Sequence, residues 1–119
     1  MPPVCLYDCK GQIMPNVLTR LARTIESRKG ADEKKSYAAK LFARGPEKCA
    51  EKFGEEAVEA IIAAAKGDKK NLTEEAADVI FHLFVMLSAR DVAFEDVLEE
   101  LQRREGTSGI VEKQSRKRS

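Results

Sequence analysis

The stretch "AADVIFHLFVML", residues 76–87, decides the fold of this chain. Nearly every position in it is apolar, so no single stripe of a helix can hold all of its apolar side chains. A helix that is apolar all round must be covered on several sides, and a chain of 119 residues has few other helices to cover it. The stretch therefore predicts a homodimer that buries this helix between subunits, with a four-helix core as the simplest geometry.

Around this stretch the hydrophobic periodicity is helical, and no useful length of sequence alternates with the period of two that a half-buried strand would show. We predict an all-α bundle of about five helices. Glycine, proline and capping residues set the expected bounds, which are 16–28, 36–45, 46–66, 72–90, and a last helix with positions 94, 97, 98 and 101 on one face. Asn71 is the expected cap of the fourth helix.

Composition indicates one soluble globular domain, because hydrophobic residues make up 43% of the chain and charged residues 34%. We expect an N-terminal extension over 1–15, an all-α domain over 16–105 and a basic tail over 106–119. No apolar run is long enough to span a membrane, and the start lacks the features of a secretory signal, so we predict a cytoplasmic protein. The net charge of +1 gives no general attraction to nucleic acid.

The cysteines are an odd number, Cys5, Cys9 and Cys49, and the lone histidine, His82, lies far from them in the sequence. This argues against a disulfide scaffold and against a structural zinc site. A redox pair of Cys5 and Cys9 is the alternative to free thiols.

Acidic residues recur on the two central helices. Glu56 and Glu59 are three residues apart, which places them on neighbouring ridges of one helix, and Glu75 and Asp78 repeat this spacing on the next helix. A short loop would bring the two helices back antiparallel, so that both acid pairs face one groove, with Glu55 as a fifth acid. Because the surrounding residues look buried, these carboxylates need a partner, and a cation is the first candidate.

Oxygen ligands without thiolates favour Mg²⁺, or Mn²⁺ as an alternative, and suit phosphate chemistry. A di-iron site would need Glu-x-x-His on two helices, but His82 stands at the wrong offset from Asp78 and there is no second histidine. The simpler interpretation of each acid pair is a solvated face that pairs with lysines. His82 is a core histidine, a hydrogen-bond donor to a carboxylate, or a residue with a direct role.

Basic residues continue toward the acids along the same helix. Lys48 and Lys52 are one turn apart and could hold a phosphate beside the metal, or each could pair with a glutamate of its own helix. Lys40 and Arg44, one turn apart on the preceding helix, are further candidates for substrate binding.

Four stretches resemble the phosphoribosyl-ATP pyrophosphatase family of histidine biosynthesis: "SYAAKLFARGPEKCAEKFGEEAVEAIIAA", "EAADVIFHLFVML", "EDVLEELQRR" and "SGIVEKQSRK". The resemblance covers residues 17–117. The broader class is the all-α, MazG-like nucleoside triphosphate pyrophosphohydrolases, which are marked by E-x-x-E followed by E-x-x-D. Those four acids correspond here to Glu56, Glu59, Glu75 and Asp78.

The resemblance implies Mg²⁺-dependent hydrolysis of phosphoribosyl-ATP to phosphoribosyl-AMP and pyrophosphate by a homodimeric helical bundle. It implies that the four acids hold the metal and that residues 36–41 and 48–59 line the nucleotide site. A carboxylate that the metal does not fully engage would accept a proton from the attacking water, with Glu55 and Glu59 as the candidates. Two rival hypotheses stay open, namely a pyrophosphatase that destroys non-standard nucleotides and a helical dimerisation module without activity.

Overall fold

The computed structural model of the chain describes residues 16–106, together with residues 113 and 116. These residues form five helices, which are α1 (Val17–Ser27), α2 (Tyr37–Ala43), α3 (Pro46–Lys66), α4 (Lys69–Ala89) and α5 (Phe94–Arg103). The described part of the chain contains no strand, so the predicted all-α fold is confirmed. The N-terminal extension with Cys5 and Cys9, and nearly all of the basic tail, lie outside the described residues.

The first two helices begin at side-chain caps. Asn16 Oδ1 accepts a hydrogen bond from the Thr19 backbone N–H at 2.9 Å, and Ser36 Oγ accepts one from the Ala39 backbone N–H at 3.2 Å. Each bond satisfies a backbone donor that a helix leaves without an internal partner in its first turn. The caps therefore fix where α1 and α2 start, within two residues of the predicted bounds.

Glycines bracket α3. Gly45, immediately before Pro46, has a φ of +98°, and Gly67 has a φ of +71° at the other end of the helix. Both angles are in the region that residues with a Cβ rarely adopt, so glycine permits the sharp change of direction at each end. The predicted bounds of α3 are confirmed.

The start of α4 differs from the prediction that Asn71 caps this helix. Asp68 is the cap, and its Oδ1 accepts a hydrogen bond from the Asn71 backbone N–H at 3.1 Å. Asp68 directly follows Gly67, so only two residues separate α3 from α4. The tight connection turns the chain back on itself and sets α3 and α4 as an antiparallel pair that pack along each other.

The hydrophobic core lies at the end of the α3–α4 pair away from this connection, where α1 and α2 pack against it. Its buried members come from all four helices and are Ile25, Ala38, Leu41, Cys49, Phe84 and Val85. The Phe94 ring contacts the Phe84 ring, with their centroids 4.6 Å apart, and this attaches the start of α5 to the core.

The other half of the α3–α4 pair is left uncovered by the residues of the single chain that the structure describes. Ala63 is fully buried between the two helices, but Val58 and Ile61 keep 54% and 65% of their surface exposed. The expectation that the residues around the acids of α3 are buried is therefore wrong for one chain alone. Among the residues that the structure describes, every helix is either too short or too polar to span a bilayer.

Candidate metal centre

Three carboxylates meet across the antiparallel pair. Glu56 of α3 and Glu75 and Asp78 of α4 each offer an oxygen atom, and these atoms lie within 4.8 Å of one another. Glu56 and Glu75 are half-buried and Asp78 is exposed, so the cluster opens to solvent on one side. The i, i+3 spacing on α4 and the tight connection at residues 67–68 bring these acids together, as the sequence predicted.

The electrostatics of the cluster favour a cation. Burial raises the pKa of Glu56, and the nearby carboxylates of Glu59 and Asp78 raise it further. Burial, followed by the neighbouring acids, raises the pKa of Glu75 to about 7. Glu75 Oε2 is also buried without a hydrogen-bond partner in the described part of the chain. Like charges held together and an unpaired oxygen are the features that a divalent cation would satisfy, so the residues fit such an ion.

The two remaining candidate acids lie in different surroundings. Glu59 is close enough to Glu56 and Glu75 to raise the pKa of both, but it is outside the trio whose oxygens converge. Glu55 instead forms an ion pair with Lys52 Nζ at 2.8 Å, which lowers the pKa of its carboxyl. The structure thus places Glu59 beside the cluster and Glu55 away from it.

The candidate phosphate-binding residues do not contact the cluster in this structure. Lys48 pairs with Glu51 on its own helix at 3.2 Å, and Lys52 pairs with Glu55. Lys40 and Arg44 are exposed near the end of α2. These exposed pairs contribute little stability, so the lysine side chains can leave their partners for a phosphate at small cost.

Three rings pack against one another near the site, and the sequence predicts the position of only one of them, His82. The ring of Tyr37 stacks on that of Phe81 with a centroid separation of 6.0 Å, and both rings meet the His82 imidazole edge-on. His82 lies one turn beyond Asp78 on α4, and this spacing was the one sequence signal for its position. The contact with Tyr37 joins residues that are far apart in the chain, and no local pattern reveals it.

A cavity of about 310 Å³ lies elsewhere, between α1, the end of α4 and the start of α5. Its lining includes Arg23, Glu26, Ser88 and Phe94, and none of the clustered acids. Ser88 Oγ donates a hydrogen bond to Glu26 Oε2 in its wall. Glu56 and Glu75, with their raised pKa values, therefore mark the candidate site more specifically than the cavity does.

Fold and site together define a class of protein, an all-α chain whose antiparallel helix pair presents carboxylates suited to a divalent cation. Comparison with known sequences narrows this class. The model of the family described as phosphoribosyl-ATP pyrophosphohydrolase matches residues 18–105. The chain belongs to this family.

Curated relatives agree over most of the chain. A protein of Rhodobacter capsulatus named phosphoribosyl-ATP pyrophosphatase is 70% identical over 99 residues, which are 83% of this chain and 96% of the relative. A protein of the same name from Dinoroseobacter shibae is 69% identical over 85% of this chain and 99% of its own length. Another, from Cereibacter sphaeroides, is 67% identical over 85% of this chain and 98% of its own length. A pyrophosphatase is a hydrolase, so the family is one of hydrolytic enzymes and the resemblance found in the sequence is confirmed.

Proposed function

We propose that the chain hydrolyses phosphoribosyl-ATP to phosphoribosyl-AMP and pyrophosphate in histidine biosynthesis. The relatives whose names carry this substrate are up to 70% identical to the chain over most of its length. The observation that carries the chemistry is the convergence of Glu56, Glu75 and Asp78. Oxygen ligands of this kind suit Mg²⁺, with Mn²⁺ as a substitute, and Mg²⁺ commonly binds phosphate substrates through a few carboxylates.

The chain's own acids have separate tasks in this proposal. Glu56, Glu75 and Asp78 would hold the cation, which would supply charge neutralisation at the phosphates and a position for the attacking water. Glu59, beside the trio, accepts the proton that this water loses as its oxygen bonds to phosphorus. Glu55 is the weaker candidate for this base, because its ion pair with Lys52 lowers the pKa of its carboxyl. The bond that breaks is the anhydride between the α and β phosphates, since the products are a monophosphate and pyrophosphate.

The basic residues bind the polyphosphate in this proposal. Lys48 and Lys52 exchange their glutamate partners for the departing pyrophosphate. Lys40 and Arg44 lie on the exposed side of α2 and meet the substrate from the neighbouring helix. Their positive charge would stabilise negative charge that gathers on the leaving group.

The working unit in this proposal is a homodimer. Val58, Ile61 and Ile62 on the uncovered half of the α3–α4 pair, and Ile80 near the middle of α4, are all more than one third exposed. Contiguous apolar side chains of this kind mark interaction surfaces on soluble proteins. A second copy would cover them and complete a four-helix core. The single chain already buries Phe84 and Val85 of the stretch 76–87, so the surface left for a second copy lies mainly on α3 and not on this stretch, where the sequence predicts it. A cytoplasmic location, with neither nucleic acid nor membrane as partner, stays a prediction.

Pyrophosphate release tests the proposed function. Phosphoribosyl-ATP is the main substrate, with and without Mg²⁺, and dATP, dCTP and dUTP are run alongside. We expect metal-dependent release from phosphoribosyl-ATP, loss of turnover in Glu56→Gln with its helicity retained, and near-normal turnover in Glu74→Gln, an exposed neighbour of the cluster. Release from the deoxynucleotides instead would favour the pyrophosphatase of non-standard nucleotides. A lack of release from every compound would favour the dimerisation module.

A further inference from the structure

His82 is buried beside the acid cluster. Its exposed fraction is 4%, and two aromatic rings pack against the imidazole. The Phe81 ring lies with its centroid 5.2 Å away and the Tyr37 ring 5.9 Å away, and both are perpendicular to the imidazole within 1°. A buried imidazole that packs against two rings has little freedom to turn, so its two nitrogens keep fixed directions.

The two nitrogens of His82 have different surroundings. Nε2 faces Glu56, with 4.0 Å between it and Glu56 Oε1. Nδ1 is buried and has no hydrogen-bond partner within the described part of the chain. A neutral imidazole carries one proton, and a buried N–H without an acceptor is costly. The proton therefore belongs on Nε2, which has a carboxylate in front of it.

We propose that His82 is a positioning residue that donates a hydrogen bond from Nε2 to Glu56 and so orients this carboxylate for the cation. The inference rests on the proposed function. The separation of 4.0 Å is about 1 Å longer than a hydrogen bond, so one partner must move. Glu56 is that partner, because its side chain is 17% exposed and unbranched, whereas the imidazole is 5% exposed and packed against two rings. One carboxylate oxygen then meets the imidazole and the other stays available to the ion.

A purely structural role explains this arrangement less well. A histidine that only filled the core would have both nitrogens satisfied, or would be replaceable by an apolar side chain that avoids the cost of an unpaired polar atom. His82 instead leaves Nδ1 unpaired and directs Nε2 toward a residue of the cluster. Position 82 therefore carries the free-energy cost of an unpaired buried nitrogen. It does so beside Glu56, the one carboxylate of the trio that comes from α3.

The first test uses the unaltered protein. His82 is the one histidine of the chain, so labelling histidine with ¹⁵N gives the nitrogen signals of a single residue. We expect the Nε2–H tautomer, and a change in the Nε2 signal when Mg²⁺ is added to the wild-type protein but not to Glu56→Gln. The Nδ1–H tautomer, or an Nε2 signal that does not change when Mg²⁺ binds, would overturn the inference.

The second test separates the two nitrogens by mutation. His82→Gln places an amide N–H near the position of Nε2, whereas His82→Asn is shorter and replaces only the Nδ1 side of the ring. Mg²⁺ affinity is measured by calorimetry without substrate. We expect His82→Asn to weaken binding about 10- to 100-fold, as loss of a partner behind a metal ligand commonly does, and His82→Gln to restore most of the affinity.

Equal Mg²⁺ affinities in both variants, with equal losses of thermal stability, would show that His82 only fills the core. A wild-type protein that binds no Mg²⁺ in the calorimeter would overturn the proposed metal site and this inference with it. A protein that binds Mg²⁺ with no response at His82 would overturn this inference alone.

Discussion

Glu75 is the acid of the cluster whose charged form is most strongly disfavoured. Its pKa rises to about 7 because the carboxyl is shielded from water and because Glu59, Glu56 and Asp78 lie near it. One of its oxygens is also buried without a partner in the described residues. Without a cation, the folded protein therefore holds a proton on Glu75 that the unfolded chain would release.

We expect the metal-free protein to lose thermal stability as the pH rises from about 4.5 to about 7, the ordinary and the folded pKa of Glu75. Between these values the folded state binds more protons than the unfolded state, so the free energy of unfolding falls with rising pH. The Glu56 pKa is also raised, which adds a change of the same sign, whereas burial lowers the pKa of His82, which adds a change of the opposite sign below its ordinary value of 6.5. Thermal melts in the presence of a chelator, taken across this range, measure the effect.

Glu75→Gln should remove most of this fall, whereas Glu74→Gln, which loses the same charge at an exposed position, should keep it. Carboxylates with lowered pKa values act in a different window. Glu100, whose pKa Arg103 and Arg104 lower to about 2, stabilises the fold above its ordinary value of 4.5 and loses this effect only as the pH falls. An unchanged slope in Glu75→Gln would contradict the assignment.

At the scale of the helices, the sequence predicts the centre of each element better than its start. The apolar periodicity places all five helices, and glycine and proline set both ends of α3. The start of α4 was missed because Asp68 and Asn71 are both good caps, and only the two-residue connection after α3 decides between them. The capping propensities of single residues do not predict how short the connection between two helices is.

The same limit applies to the site. The spacing of Glu56, Glu75 and Asp78 predicts their convergence, because helix geometry fixes the direction of each Cβ. The spacing does not decide whether Glu55 or Glu59 is the proton acceptor. That depends on which side chains pair with each other in the folded state, as Glu55 does with Lys52. The contact of Tyr37 with His82 depends on how α2 packs on α4, which no local pattern encodes.

The cap of α4 gives a prediction at this scale. Asp68→Ala should lower the free energy of unfolding by about 1 kcal/mol, because the Asn71 backbone N–H loses its acceptor. Asn71→Ala is the matched control and should cost less, since the Asn71 backbone still reaches Asp68. Urea unfolding followed by circular dichroism measures both, and a larger loss in Asn71→Ala would restore Asn71 as the cap.

At the scale of the whole molecule, the described residues of one chain leave half of the α3–α4 pair uncovered. The buried core occupies the half where α1 and α2 pack, and the other half exposes Val58, Ile61 and Ile62 to solvent. The clustered acids lie on the same pair of helices as this apolar surface. A second copy that covered it would also lower the dielectric around the acids and strengthen their attraction for a cation.

Ile61→Lys tests this expectation against Val17→Lys, because both side chains are 65% exposed in the single chain and only Ile61 lies on the uncovered half of the pair. Burial of one such side chain is worth about 1.5 to 3 kcal/mol, and a two-fold dimer contains two copies of it. Ile61→Lys should therefore weaken dimerisation at least about 100-fold in sedimentation experiments, whereas Val17→Lys should sediment as the wild type does. A wild-type protein that sediments as a folded monomer at micromolar concentration would contradict the dimer. If Ile61→Lys dimerised normally, the subunits would have to meet through another surface.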